Sequence, residues 1–344
     1  KYMDAVPDSA VCNEAVKLAK RHKFAQLSGF VNGVLRNIAR NIDSVQFDTL
    51  SIRYSMPQWI VDRFVAAYGE KKAEEIFKAF HNKSTISIRT NLTRCTPDEL
   101  RAMLEAEGVT VTAVDELNYA FVISGFDYLN GLQSFRDGLF YVQDISSMLV
   151  AQTAAPKKGD YVIDVCAAPG GKSTHIAELL QGSGHVLARD LTDNKVDMIE
   201  ENIEKHGLNN MSAEVWDATV FDADSAGKAD ILIFDLPWSG VGVVGRKKDI
   251  RYKMTPESVD ELAALQRQIL DTVHTYVKPN GVLVYSTCTI DEAENEDNVR
   301  WFIEKHPEFE LDKSFAEGTG MKQILPGEHG SDGFFIARFI KSKL

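Results

Sequence analysis

The stretch "YVIDVCAAPGGKSTHIAELL" (residues 161–180) joins a short, nearly all-apolar run to a turn with paired glycines and then to a helical pattern. An apolar run that ends in such a turn and opens a helix reads as the first βα unit of a parallel sheet. The unit then repeats. Further apolar runs are "HVLARD" (185–190), "SAEVWD" (212–217), "ADILIFD" (229–235) and "GVLVYSTC" (281–288), and amphipathic stretches such as "NKVDMIEENIEKHG" and "TPESVDELAALQRQILDTVHTYV" separate them. Strands this apolar must be covered on both faces, so the expected fold class is α/β with a Rossmann-like, doubly wound sheet. "DGFFIARFI" (332–340) adds one strand more.

Upstream the pattern is different. "TISIRTNL", "VTVTAV" and "YAFVIS" surround the helix "TPDELRAMLEAEG", which indicates a small α+β module. It carries no row of exposed strand aromatics on which bases would stack. "MPQWIVDRFVAAYG" and "EKKAEEIFKAF" read as a helical pair, with Pro57 at a start and Gly69 at a stop. "VCNEAVKLAKRH" and "AQLSGFVNGVLRNIAR" read as two amphipathic helices, too few for an isolated domain, and Lys1 in place of Met suggests the tail of something longer. The expected divisions are residues 1–46 (helical), 47–144 (helical plus α+β) and 145–344 (the α/β domain), with "VQDISSMLVAQTAA" as the helix that leads into the last.

Composition narrows the function. The 344 residues hold 38 Lys and Arg against 50 Asp and Glu, a net charge of −12, so the whole molecule repels polyanions at long range. A nucleic-acid surface therefore needs local basic residues, and "GRKKDIRYK" (245–253) supplies five beside one Asp. Cys12, Cys95, Cys166 and Cys288 lack CxxC spacing, which argues against a zinc site or a disulfide framework; no metal is expected. No apolar run reaches the ~18 residues of a membrane span, and no charged-then-apolar leader opens the chain, so the cytoplasm is the expected address.

Ligands of a doubly wound sheet collect beyond the carboxyl ends of its strands. At the first such end, Gly170 and Gly171 allow close backbone approach, and the helix after them offers amides to an anion. A phosphate-gripping loop would need glycine where Cys166 stands, and the G-x-G-x-x-G dinucleotide fingerprint is absent. A nucleoside with a carboxylate-bearing tail, as in S-adenosylmethionine, remains. Asp190 closes the second strand and suits ribose hydroxyls; Asp217 closes the third and suits an adenine amino group; Asp235 closes the fourth. Cys288 closes the fifth, facing the crevice of Asp235, where its thiol is expected to be tuned toward thiolate.

Together "DVCAAPGGKSTH", "DLPWSGVGV", "YSTCTI" and "ENE" (294–296) resemble, in order and spacing, the RNA (cytosine-5)-methyltransferases of the RsmB/Nop2 family, also called RsmB, Sun or Fmu in bacteria. "FVNGVLRNIAR" resembles the end of the NusB-like domain peculiar to RsmB, and "QDISSMLVA" the family's helix before the catalytic core. The resemblance implies S-adenosyl-L-methionine as cofactor, held by Cys166, Ala167, Ala168, Pro169, Gly170, Gly171, Lys172, Asp190, Asp217 and Asp235. It implies Cys288 as the nucleophile that adds to carbon 6 of cytosine, with Asp235 hydrogen-bonded to the base. The substrate it implies is RNA, above all small-subunit (16S) ribosomal RNA, with a flipped target held by Arg246, Lys247, Lys248 and Arg251. Neither DNA nor a membrane is an expected partner, and a monomer is expected.

One residue departs from the pattern. Where the family carries a second cysteine associated with release, this chain has Trp238, whose indole would stack on the base for ~1–3 kcal/mol. Release then falls to Ser239, water or Asp235, or the adduct accumulates. Two other readings stand beside this one. "DLPW" also resembles the motif of exocyclic-amino methyltransferases, which need no cysteine; and without the second cysteine the chain could be a weakly catalytic ribosome-assembly factor that binds RNA.

Overall fold

The computed structural model describes residues 5–82, 85–115 and 117–343. Contacts divide the chain into two units, Lys1–Met56 and Pro57–Leu344. In the first unit the helices Asp8–Arg21 and Ser28–Asn41 pack on each other, as their apolar periodicity predicts. Leu18, Phe24, Phe30 and Ile38 nevertheless remain exposed.

The second unit opens with the helices Gln58–Tyr68 and Glu70–Ala79. Gly69, at φ 77°, makes the break, a conformation that costs a side chain-bearing residue more. Four antiparallel strands follow: β1 (Ile86–Thr90), β2 (Thr110–Val114), β3 (Leu117–Ser124) and β4 (Phe140–Val142), in the order β2-β3-β1-β4. The helix Pro97–Ala106, started by a Thr96–Glu99 capping box, covers one face of this sheet through Leu100 and Leu104. The three-residue β4 has too few residues to show an alternation, and pairing with β1 defines it.

The larger sheet contains β5 (Tyr161–Asp164), β6 (His185–Asp190), β7 (Met211–Val215), β8 (Ala229–Asp235), β9 (Val277–Thr287), β10 (Phe309–Leu311), β11 (Met321–Ile324) and β12 (Phe334–Lys341). Its order is β10-β12-β9-β8-β5-β6-β7, with β11 also paired to β12. From β7 to β9 all pairs are parallel, as the alternation predicts. The additional strand, β12, runs antiparallel to β9. Its apolar residues announce burial and not direction, and β10 and β11 are too short to read in advance.

Period-two alternation sends neighbouring residues to opposite faces of the sheet. Ile163, Leu232, Phe234 and Tyr285 meet Ile269, Phe302 and Phe335 on one side; Val162, Ile231, Ile233 and Val284 meet Val150, Ile176 and Ile199 on the other. Each such side chain contributes ~1.5–3 kcal/mol when fully buried, so packing outweighs helix propensity in holding the layers. The connections run from β5 to β6 on one side and return to β8 on the other. That reversal opens a crevice at the carboxyl ends of β5 and β8.

Candidate active site

The glycine turn between β5 and the helix Gly171–Leu179 forms the floor of the crevice. Gly170 takes φ 99°, where a β-carbon would be strained. The turn is tied to the second strand end, because the Ala168 amide donates to Asp190 Oδ2 at 2.9 Å. Leu191 N and Lys195 Nζ both donate to Asp190 Oδ1 at 2.8 Å, so this nearly buried carboxylate is oriented from three sides. Lys195 is half-exposed and lines the same crevice.

At the fourth strand end, Lys172 Nζ donates to Asp235 Oδ2 at 2.6 Å and Ser286 Oγ donates to Oδ1 at 3.1 Å. Burial opposes the charge on Lys172, but Asp235, then Cys288 and Asp164, outweigh it and leave the ammonium more firmly protonated than usual. The sequence suggests a Cys288 thiol tuned toward thiolate. In the structure the opposite holds, since burial pushes this thiol up and Lys172 only partly offsets it. Cys166 is raised for the same reason.

Below them, Asp164 accepts from Ser173 Oγ, yet burial pushes its carboxyl up to about 7. A carboxyl raised in this way favours the fold fully only below its ordinary value of 3.8, and that contribution is lost as the pH climbs through about 7. Asp164→Asn, which can still accept from Ser173, is therefore expected to raise Tm at pH 8 by on the order of 5 °C, with the gain shrinking toward pH 4. Thermal melts across that range check it.

One cleft of about 420 Å³ is lined by Cys166, Ala167, Ala168, Pro169, Gly171, Lys172, Asp190, Asp235, Trp238, Lys247 and Cys288. Gly170 supports it from beneath, without lining it. Asp217 stands apart: it lies two residues past β7, is exposed, and accepts from Thr219 N and Oγ1. The basic run also divides. Arg246 is engaged by Asp144 at 2.9 Å and Asp332 at 2.6 Å, and Arg251 is buried. Lys247 and Lys248 are exposed, and Lys247 Nζ sits 5.2 Å from the Trp238 ring centre. Exposed Tyr252 stands in the same run, an aromatic that sequence reading passed over.

The loop "DLPWSG" hangs from a buried acid. Glu294 accepts from Ser239 N at 2.9 Å, from Ser239 Oγ, and from Gln266 Nε2 at 3.0 Å, and Gln266 Nε2 also donates to Pro237 O at 2.9 Å. Ser239 is buried, its hydroxyl committed to Glu294, so it does not face a ligand. Farther along, Gly242 meets two backbone segments: Gly333 N donates to its carbonyl at 2.9 Å, and a β-carbon on it would stand 2.6 Å from Gly333 O and 2.9 Å from Cys288 O. Gln143, Asp144, Ser147 and Lys195 also line the cleft. Sequence reading missed them, although Lys195 carries a signal in its position in the first turn of the helix that follows Asp190.

Among the described residues, Asp271, His274 and His306 bring possible metal-ligand atoms within 4.8 Å of one another. None of these residues lines the cleft. Lys305 already neutralises Asp271 at 2.9 Å. No helix among the described residues is long and apolar enough to cross a membrane.

A cleft of this size falls within the ~300–1,000 Å³ usual for small ligands. Asp190 offers acceptors to a diol at one strand end, and the glycine turn offers backbone amides to an anionic tail. A parallel sheet carrying this donor set, with Cys166 where a phosphate loop needs glycine, defines an S-adenosylmethionine-dependent methyltransferase.

The comparisons agree. The family model described as 16S rRNA methyltransferase RsmB/F matches residues 151–340, that of the RsmF/B-like ferredoxin-like domain matches 56–126, and that of the NusB family matches 1–40. The "Probable ribosomal RNA small subunit methyltransferase B" of Bacillus subtilis is 37% identical, with 99% of this chain and 80% of that protein covered. The "Ribosomal RNA small subunit methyltransferase B" of Shewanella oneidensis is 31% identical with the same coverage. The crystal structure of PH0851 superposes with a TM-score of 0.83 at 27% identity, covering 99% of this chain and 80% of that one. NSun6 from Pyrococcus horikoshii with SFG shares the fold, with a TM-score of 0.76 at 24% identity, covering 84% of this chain and 99% of that one. The chain belongs to the RsmB/F family of 16S rRNA methyltransferases.

Proposed function

We propose that the protein methylates carbon 5 of a cytosine in 16S ribosomal RNA through a covalent Cys288 adduct. The observation that carries this reading is the meeting of Cys288, Lys172, Asp235 and Trp238 in one cleft with the glycine turn. In this reading residues Cys166 to Lys172 and Asp190 hold the cofactor, and Asp217, exposed and turned to Thr219, does not; residues 47–144 engage RNA; and residues 145–344 carry the chemistry. The helices of residues 1–46 form a NusB-like part. The protein works as a monomer in the cytoplasm and acts on RNA, not DNA.

Carbon 5 of cytosine is a weak nucleophile. When the Cys288 sulfur bonds to carbon 6, the C5=C6 electron pair is released into the ring and carbon 5 becomes enamine-like. Asp235, held by Lys172 and Ser286, passes the proton that the Cys288 thiol gives up to ring nitrogen 3, so the charge pushed into the ring is neutralised as it develops. S-adenosylmethionine supplies an electrophilic methyl group. Loss of the carbon 5 proton and expulsion of sulfur then restore the aromatic ring. Trp238 stacks on the base, and Lys247 and Lys248 hold nearby phosphates.

RNA substituted with 5-fluorocytosine tests the route, because fluorine at carbon 5 cannot leave as a proton. A denaturant-stable protein–RNA complex that forms only with cofactor present is the expected result. Methyl transfer with no such complex would instead favour attack by an exocyclic amino group.

A further inference from the structure

We infer that Gln143 is a cofactor-binding residue, its side-chain amide presented to the carboxylate tail of S-adenosylmethionine, and that Arg89 in the small sheet is the positioning residue that sets its orientation. Gln143 follows β4 and is clamped to β1 at both main-chain atoms: its amide donates to Ser87 O at 3.1 Å, and its carbonyl accepts from Ser87 Oγ at 2.7 Å. The residue lines the cleft, although only 8% of it is exposed.

Arg89 fixes the polarity of the amide. Its Nε donates to Gln143 Oε1 at 2.8 Å, and since a guanidinium can only donate, the oxygen must face Arg89 and the NH₂ must face away. Nε2 then lies against Gly171, 3.9 Å from where a β-carbon would stand, buried and with no hydrogen-bond partner. A buried amide donor left without a partner costs stability unless a ligand supplies the acceptor. Here it stands at the first residue of the helix whose amino end favours an anion. A carboxylate answers both features.

Arg89 is itself over-determined. It is fully buried, donates to Glu178 Oε2 at 2.5 Å and Thr174 Oγ1 at 3.2 Å on the helix after the glycine turn, and stacks 4.0 Å from the Tyr141 ring centre. The small sheet thereby completes the cofactor site of the larger one. A lysine, with one point charge in place of a fork, cannot serve Gln143, Glu178 and Thr174 together.

The test compares two ligands by calorimetry on the whole chain. S-adenosylhomocysteine carries the carboxylate tail; 5′-methylthioadenosine has the same nucleoside without it. Gln143→Leu is expected to weaken S-adenosylhomocysteine by about 10- to 100-fold and leave 5′-methylthioadenosine within twofold. Arg89→Lys should show the same contrast at smaller size. If Gln143→Leu fails to fold, Gln143→Glu still accepts from Arg89 but sets one carboxylate against another, and a loss at least as large is expected. Equal losses for both ligands, or none, would overturn the inference. A change confined to the KM for RNA would assign the amide to the target base, and would overturn it as well.

Discussion

Cys288→Ala should lower single-turnover methyl transfer to unmodified small-subunit RNA by at least ~10³-fold, while S-adenosylhomocysteine affinity stays within about threefold. The asymmetry follows from position, because Cys288 stands one residue past β9 and supplies a sulfur to the cleft, whereas the glycine turn and Asp190 are held by bonds that do not involve it. A rate within tenfold of the parent would remove the covalent route. The pH profile carries the same information. Burial raises the thiol, so the reactive thiolate is scarce at neutral pH and transfer should speed up as pH rises into the alkaline range. Lys172→Met removes a cation opposing that rise, and should move the profile further toward alkaline pH.

Trp238→Cys is expected to act on the other half of the cycle. In the proposed route the carbon 5 proton must be taken before sulfur can leave, and a placed acid–base group contributes on the order of 10²-fold to such a step. Ser239 is unavailable because its hydroxyl is buried on Glu294. Release therefore falls to water or Asp235, and the parent enzyme should show a burst of methyl transfer followed by slow turnover. With a cysteine at 238 the slow phase should quicken by about that factor while the burst is unchanged. Unchanged burst and steady-state rates would reject slow release as the consequence of the tryptophan.

The parallel core was legible because each of its strands is a compact apolar run bounded by a turn, and each run must be covered on both faces. The direction of β12 was not, since hydrophobicity records burial and not orientation. In the cleft, the residues from Cys166 to Pro169, Gly171 and Lys172, with Asp190, Asp235 and Cys288, were recognisable by standing at or just past strand ends. Gln143 and Asp144 come from the segment before the first parallel strand, and only the packing of the small sheet brings them there. The basic run misled in part because composition counts charges without their partners. Asp144 and Asp332, distant in sequence, occupy Arg246. Asp217 ends an apolar run, but the strand itself stops at Val215, and the two-residue overshoot turns the carboxylate outward to Thr219.

The contact of Gly242 with Gly333 and Cys288 has a mechanical meaning. With no side chain at 242, the segment that continues from the indole runs backbone against backbone with Gly333 and the Cys288 carbonyl, so any larger residue there would prise apart the loop that carries the indole and the strand end that carries the sulfur.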